Sequence, residues 1–111
     1  MDKKILKNID FATVLNLKEQ VNYQTGQIVS KTLIQNQNIS LTLFAFDKGE
    51  EISSHTSNGD AMITVTDGTS EITIGDQVYS LSEGQTIVMP AQIPHAVYAR
   101  EAFKMTLTVV F

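Results

Sequence analysis

Polar and apolar residues alternate along much of the chain, which is the pattern of β-strands with one buried face. The first clear run covers residues 27–35 and places alternate side chains on one face: Ile28, Ser30, Thr32 and Ile34. A second run covers residues 39–46 and ends at Asp47-Lys48-Gly49, where glycine can supply the positive φ of a tight turn. The two runs predict two consecutive strands separated by the polar turn 36–38.

Turn signals follow at intervals of 7 to 10 residues after Gly49. They are Asn58-Gly59, Asp67-Gly68, Gly75-Asp76 and Glu83-Gly84. Short strands fill the gaps, over 62–66, 71–74, 77–81, 86–89, 95–99 and 104–110. About nine or ten short strands, with no long helical pattern among them, predict an all-β sandwich or barrel and not a sheet with crossover helices.

The start of the chain has a different pattern. Its apolar residues, Ile5, Ile9, Leu15 and Leu17, fit neither a helix face nor a strand face. We interpret residues 1–26 as an N-terminal segment, an edge strand or short helix that packs on a barrel formed by residues 27–111.

Composition supports one all-β domain. The length of 111 residues with 42% apolar content leaves no room for a second domain. Eleven Ile, nine Val and twelve Thr favour pleated strands over helices. Cysteine is absent, which excludes thiolate metal ligands, thiol nucleophiles and disulfides.

Charge and hydropathy limit the partners. The formal net charge is −4, and the one basic cluster, Lys3, Lys4 and Lys7, is too small to bind a phosphate backbone. The longest apolar run is four residues, Leu43 to Phe46, so the sequence predicts neither a membrane span nor a signal peptide. We therefore expect a cytoplasmic protein that binds neither nucleic acid nor membranes.

The two histidines each stand in a recognisable spacing. His55 is the sixth residue after Gly49, and His95 follows Gly84 and Pro90. These positions, together with Gly68, resemble the two cupin motifs, in which glycine, histidine and proline recur at these intervals. The resemblance implies a small jelly-roll barrel, the double-stranded β-helix of the RmlC-like cupins.

Four positions depart from the family pattern. Ser57 replaces the second metal-binding His of the family, Ala61 its Glu, Gln92 a Gly and Ala99 an Asn. The resemblance therefore implies a degenerate metal motif in which His55, Ser57 and Ala61 share an inward face directed toward His95. We expect His55 and His95 to meet in a pocket, with Ser57 beside them as a further ligand-binding residue.

Two neutral imidazoles alone make a weak metal site, because catalytic zinc usually has three protein ligands and non-haem iron has two His and one carboxylate. Glu51 lies an even number of residues before His55, so an unbroken strand would direct both side chains inward, but the two residues are roughly 13 Å apart. Asp60 lies an odd number of residues after His55, so its side chain would face outward unless a bulge turned it inward. The alternative role of Asp60 is to cap a turn. A nucleophilic Ser57–His95 pair lacks a carboxylate to orient the imidazole. Two interpretations of the pair stay open: imidazoles bonded to each other, a carbonyl or water without metal, and one divalent metal ion held weakly by His55 and His95.

These considerations predict a protein that binds a small molecule in its barrel, without an assigned catalytic residue. The alternative is a metal-dependent enzyme of the isomerase, decarboxylase or dioxygenase type acting on a small oxygenated substrate, as the family resemblance implies. We also expect a homodimer, because the edges of two short sheets need covering and the strand at 27–35 can pair with or swap onto a second copy.

Overall fold

A computed structural model describes residues 4–111. The first three residues of the predicted N-terminal segment, including Lys3 of the basic cluster, lie outside that range. The described part contains nine strands and one 3-10 turn at Leu17–Glu19. The strands are β1 Ile28–Gln35, β2 Ile39–Phe46, β3 Glu51–His55, β4 Asp60–Asp67, β5 Thr69–Ile74, β6 Gln77–Ser82, β7 Thr86–Met89, β8 His95–Tyr98 and β9 Phe103–Val110. No helix within residues 4–111 is long and apolar enough to cross a membrane.

The strands form two antiparallel sheets. One sheet has five strands in the order β1-β2-β9-β4-β7, and the other has four in the order β3-β8-β5-β6. Successive strands cross between the sheets except in the hairpins β1–β2 and β5–β6, which is the jelly-roll arrangement. The all-β jelly-roll prediction is confirmed, and β3 and β8, which carry the histidines, are neighbours in the smaller sheet.

The main core lies between the two sheets. Along β4 the inward residues Ala61, Ile63 and Val65 are 2% exposed or less, while Met62 between them is 42% exposed. Phe46 and Phe103 face each other across β2 and β9, and their rings stack with centroids 4.6 Å apart. The period-2 alternation of the sequence therefore separates the core face from the outer face of each strand.

The N-terminal segment covers part of the outer face of the five-stranded sheet. Val21 is buried there together with Leu33, Leu43 and Ala45, which form a second apolar cluster. The segment is held at its other end by the backbone of Lys7, whose N–H donates to the carbonyl of Leu33 at 2.7 Å.

One strand differs from its predicted pattern. We predicted that Ile34 shares a face with Ile28 and Thr32, but the register of β1 shifts between Thr32 and Ile34. Ile34 consequently stands opposite Leu41, which packs on the outer cluster, whereas Ile28 packs on the main core. A bulge inserts one extra residue, so every later side chain of the strand faces the opposite side of the sheet. The alternation of polar and apolar residues gives no sign of this bulge.

Candidate ligand-binding site at the paired histidines

The two histidines lie side by side at one end of the four-stranded sheet. His55 is the last residue of β3, His95 is the first residue of β8, and they are register partners. Their ring centroids are 4.4 Å apart and the ring planes meet at 65°, an edge-to-face arrangement. The predicted meeting of His55 and His95 is present in the structure.

A bulge in β3 turns His55 to the inner face. Ile52 pairs with Val97 and packs on the main core, and the register then shifts before His55 pairs with His95. Ile52 and His55 are an odd number of residues apart, yet both pair with inward residues of β8. Our parity argument for Glu51 was wrong, because Glu51 precedes the inward Ile52 and stands opposite Tyr98 on the outer face.

Backbone carbonyls fix the proton on each ring. The Nδ1–H of His55 donates to the carbonyl of Ser53 at 2.9 Å, and the Nδ1–H of His95 donates to the carbonyl of Ile93 at 3.2 Å. A carbonyl only accepts, so Nδ1 carries the proton in each neutral ring and Nε2 keeps its lone pair. Histidines that bind metals usually have this second hydrogen bond to a carbonyl or carboxylate.

The two rings differ in exposure. His95 is 5% exposed, whereas His55 is open to solvent. Burial lowers the pKa of His95 below its ordinary value of 6.5; the carbonyl of Ile93 opposes this shift, and the neighbouring His55 adds to it. At neutral pH His95 is therefore uncharged, and its Nε2 is a hydrogen-bond acceptor or a metal ligand.

The loops that flank the two histidines are bonded to each other. The backbone N–H of Gln92 donates to the carbonyl of Ser57 at 2.8 Å, and its side-chain Nε2 donates to Oδ1 of Asn58 at 3.0 Å. Gln92 has φ of 70°, a left-handed conformation that is uncommon outside glycine. The residue that replaces the family's Gly therefore keeps a glycine-like backbone, and its amide links the loop before His95 to the loop after His55.

Ser57 and Asp60 stabilise the loop after His55. Ser57 lies between β3 and β4, not on a strand, and its Oγ accepts the N–H of Gly59 at 3.2 Å. Asp60 stands opposite Val110 on the outer face, and its carboxylate accepts the N–H of Ala91 at 2.9 Å. Asp60 thus has the loop-capping role. Gly59 fits because a Cβ there would come within 2.6 Å of the carbonyl oxygen of Val110.

The protein donor set for a metal is limited to the two imidazoles. Between residues 4 and 111 no group of three or more His, Asp or Glu side chains is close enough to hold a metal ion. The anchored Nδ1 atoms suit metal binding, but any ion held there would complete its coordination with water or with oxygens of a bound molecule.

Two further residues of this row were missed in the sequence. His95 pairs with Ile74 on β5, and Ile74 pairs with Gln77 on β6, so His55, His95, Ile74 and Gln77 form one row across the four strands. Strand spacing places Gln77 about 10 Å from His95. The two-residue turn Gly75-Asp76 was the available signal, because it fixes Ile74 opposite Gln77.

The jelly roll and the histidine pair together define a cupin. The family model of the cupin domain matches residues 42–111, more than half of the chain, and the chain therefore belongs to the cupin family. A conserved protein of unknown function from Streptococcus pyogenes is 51% identical, with a TM-score of 0.95 over 97% of this chain and 95% of that one. A search of curated proteins gives no match.

Two more distant structures support the fold. A cupin superfamily protein from Desulfitobacterium hafniense is 28% identical, with a TM-score of 0.91 over 96% of this chain and 97% of the other. An RmlC-like cupin from Shewanella frigidimarina is 19% identical, with a TM-score of 0.71 over 77% of each chain. The predicted identity as a small cupin is confirmed, and the fold is that of the RmlC-like cupins.

Proposed function

We propose that this cupin binds a small molecule at the His55–His95 pair. The observation that carries the proposal is the pair of anchored imidazoles, each with Nδ1 bonded to a carbonyl, so that Nε2 is left with a free lone pair. The preferred ligand is a molecule with hydroxyl or N–H groups, because a neutral Nε2 accepts hydrogen bonds. Ser57 follows His55 by two residues and Gln77 lies about 10 Å from His95 in the same row, and we propose them as further polar contacts of a bound molecule.

A divalent transition metal is the accompanying ligand in this proposal. The two Nε2 atoms would supply about half of the ligands that a metal ion needs. A hydroxy acid or a similar chelator is suited to supply the remaining oxygen ligands. When bound, the metal would polarise those oxygens as a Lewis acid. The chain's own part is to orient both imidazoles through the carbonyls of Ser53 and Ile93.

The second candidate function is a metal-dependent enzyme of the isomerase, decarboxylase or dioxygenase type. The same anchored tautomers favour it, since they are the ones that coordinate metals. It ranks second because residues 4–111 bring two imidazoles and no carboxylate together at this site.

The test is an NMR titration of chelator-treated protein that follows the imidazole Cε1–H and Nε2 signals of both histidines. The probes are a panel of small polyols and hydroxy acids, each with and without Ni²⁺. In the parent protein we expect saturable shifts of the signals of both rings. In His95→Ala we expect no such shift of the remaining His55 signals. Thr73→Ala is the matched control, because Thr73 lies beside Ile74 on β5 but pairs with Ala96 and Val78 on the outer face.

The outcomes separate the alternatives. Binding of polyols without Ni²⁺ supports a pure binding protein, and binding of hydroxy acids only with Ni²⁺ supports a metal-dependent site. Shifts that survive in His95→Ala, or that disappear in Thr73→Ala as well, would contradict a site at the histidine pair.

A further inference from the structure

The two sheets of residues 4–111 end in four edge strands, β1 and β7 in the larger sheet and β3 and β6 in the smaller one. An open edge presents unpaired backbone N–H and C=O groups to any extended chain. Native proteins usually protect such an edge with a charged residue, an irregular pairing or a short strand. Three of these four edges are protected in such a way, and the edge of β6 is not.

The protected edges each have a feature that disfavours pairing. Strands β1 and β3 both contain a register shift, and they carry the charged residues Lys31 and Glu51. The edge of β1 is also bonded to the N-terminal segment, because the carbonyl of Leu33 accepts the N–H of Lys7. Strand β7 is only four residues long, Thr86–Met89.

Strand β6, Gln77–Ser82, has none of these features. Its six residues pair with β5 in an uninterrupted register, and they include no charged residue, glycine or proline. Within residues 4–111 no hydrogen bond joins the backbone of residues 77–81 to an element other than β5. Since alternate residues of a strand direct their N–H and C=O to either side, about three residues of β6 present both groups at the free edge.

Both faces of β6 leave space beside this edge. On the outer face, Val78 is 60% exposed and lines a cavity of about 360 Å³ together with Glu71 and Arg100. On the inner face, Tyr79 stands opposite the buried Ile72, yet it is 42% exposed. Tyr79 lines a second cavity, of about 420 Å³, between β6 and β7. The side chains of an added strand alternate between the two faces, so they can enter both cavities.

Charge determines which kind of strand fits this edge. The four strands of the smaller sheet contain acidic residues but no Lys or Arg. Glu71 lines the outer cavity, and Asp76 and Glu83 lie just beyond the two ends of β6. Arg100 and Lys18 pair with Glu71 and Glu83 at 3.3 Å, but such exposed ion pairs are weak. A segment with basic residues therefore complements this edge, and a second copy of the same acidic chain does not.

We propose that the edge of β6 binds an extended, basic segment of another protein, which joins the smaller sheet as its fifth strand. Main-chain hydrogen bonds to β6 hold the segment, and its side chains determine the specificity. Apolar side chains of the segment pack on Tyr79, and Lys or Arg at the alternate positions face outward. Six residues of the segment span about 20 Å, the length of β6.

The basic side chains of the segment can reach Glu71. Glu71 stands opposite Ser80 on β5, so it lies about 10 Å, or two strand spacings, from the added strand. The side chains of Lys and Glu together span that distance. The proposal does not depend on a ligand at the histidine pair.

The test is an NMR titration of the full, isotope-labelled chain with synthetic hexapeptides. The probe is acetylated and amidated Lys-Val-Thr-Phe-Lys-Val, which has both lysines on one face of a strand and the apolar side chains on the other. We expect saturable shifts of the amide signals of residues 77–82 at micromolar peptide. We also expect slower hydrogen exchange of the β6 amides at the free edge.

Two control peptides test the two parts of the recognition. A peptide with Glu in place of both lysines should bind about tenfold more weakly or less, because it is repelled by the acidic sheet. The fully N-methylated probe has no backbone N–H to donate, and it should bind more weakly by at least about the same factor.

Two serines provide matched variants of the protein. Ser80→Lys adds a charge to β6, and Ser54→Lys adds the same charge at an exposed serine of β3, the other edge strand of this sheet. We expect Ser80→Lys to weaken binding of the probe about tenfold or more, because a lysine on an edge strand disfavours pairing and repels a basic peptide. Ser54→Lys should bind the probe as the parent does. Tyr79→Ala, which removes the apolar contact on the inner face, should also weaken binding and replaces Ser80→Lys if that variant does not fold.

Several outcomes would overturn the proposal. They are a parent that does not bind the probe, a parent that binds the control peptides equally well, and shifts centred on β1, β3 or β7. Binding that persists unchanged in folded Ser80→Lys and Tyr79→Ala, or that is lost in Ser54→Lys, also contradicts it. Shifts of residues 77–82 that depend on protein concentration without peptide would assign this edge to a second copy and not to another protein.

Discussion

At the scale of single residues, the paired histidines obtain their properties from the backbone that surrounds them. His95 is enclosed at the start of β8, and the carbonyl of Ile93 holds its Nδ1 proton. The same enclosure that makes Nε2 a good acceptor at neutral pH also makes protonation unfavourable. The chemistry of the ring and the stability of the fold are therefore linked through one proton.

The first prediction concerns pH. An unfolded chain protonates His95 near its ordinary pKa of 6.5, whereas burial lowers the pKa in the folded chain. As pH falls below 6.5 the unfolded state binds a proton that the folded state does not, so the free energy of unfolding should decrease. The decrease should end below the folded-state pKa. Urea unfolding of the parent and of His95→Gln over a pH series measures it.

The comparison isolates His95 from the other titrating groups. His95→Gln lacks the imidazole but retains the carboxylates and His55, so its stability should depend less on pH in the window just below 6.5. Equal slopes in the two proteins, or a parent that becomes more stable as pH falls, would show that the pKa of His95 is not lowered.

The second prediction concerns Gln92 and its left-handed backbone. A β-branched residue tolerates φ of 70° poorly, so Gln92→Val should cost about 1–3 kcal/mol of stability. Gln92→Gly removes that strain but also the hydrogen bond to Asn58, and it should change stability by only about 0.5 kcal/mol either way. Thermal unfolding of the three proteins gives the comparison. A Val variant as stable as the Gly variant would mean that the loop adopts another backbone conformation.

At the scale of strands and turns, the sequence predicts more of the barrel than of the site. The predicted turns at Gly49, Gly68, Gly75 and Gly84 all have positive φ in the structure. Ala61, which was expected to face inward, is 2% exposed. Glycine turns and the alternation of side chains depend on neighbouring residues only, so they can be predicted from a single sequence.

The errors have a common physical cause. Ile34 and Glu51 were assigned to the wrong faces because β1 and β3 each contain a register shift, at Thr32/Ile34 and Ile52/His55. A bulge depends on how the partner strand pairs, which is a tertiary property. The link from Gln92 to Asn58 joins residues 34 positions apart and was invisible for the same reason.

The third prediction restores the missing family ligands. Ser57→His with Ala61→Glu should raise the affinity for Zn²⁺ or Ni²⁺ by more than about a hundredfold. Two added side chains that bind the metal directly should contribute more than residues that only orient a metal ligand. Ala61 is inward and 2% exposed, so the larger side chain should cost on the order of 1–3 kcal/mol through overpacking. Isothermal titration with each metal measures the affinity.

The controls for this variant test the placement of the added groups. A further His95→Ala change should reverse most of the gain. Ser57 lies in a loop, so Ala61→Glu alone is the cleaner test of the strand position and should give part of the increase. If the folded double variant binds no better than the parent, positions 57 and 61 do not face His95.

At the scale of the whole molecule, the N-terminal segment packs on the outer face of the five-stranded sheet and is held there by polar contacts. Its end is fixed at Tyr23, whose hydroxyl donates to Oδ2 of Asp67 at 2.6 Å, and the ammonium of Lys104 lies 4.8 Å from the Tyr23 ring centre. Burial raises the pKa of Tyr23, and so do the hydrogen bond and the charge of Asp67, so the hydroxyl remains a donor at neutral pH. Lys104 also donates to the carbonyl of Lys18 in the same segment.

These contacts of Tyr23 and Lys104 hold the N-terminal segment over the second apolar cluster. The last prediction tests how much they stabilise the fold. Tyr23→Phe keeps the ring under Lys104 but loses the donor to Asp67, and it should cost about 0.5–1.5 kcal/mol, since Tyr23 is only 37% exposed. Tyr79→Phe is the matched control, because Tyr79 is 42% exposed and the described residues give its hydroxyl no hydrogen bond. Hydrogen exchange should show the reason for the loss: faster exchange near Val21 in Tyr23→Phe, with rates in β4 and β9 unchanged when corrected for global stability. Faster hydrogen exchange throughout the barrel would mean that the N-terminal segment unfolds together with the barrel and not as a separate unit.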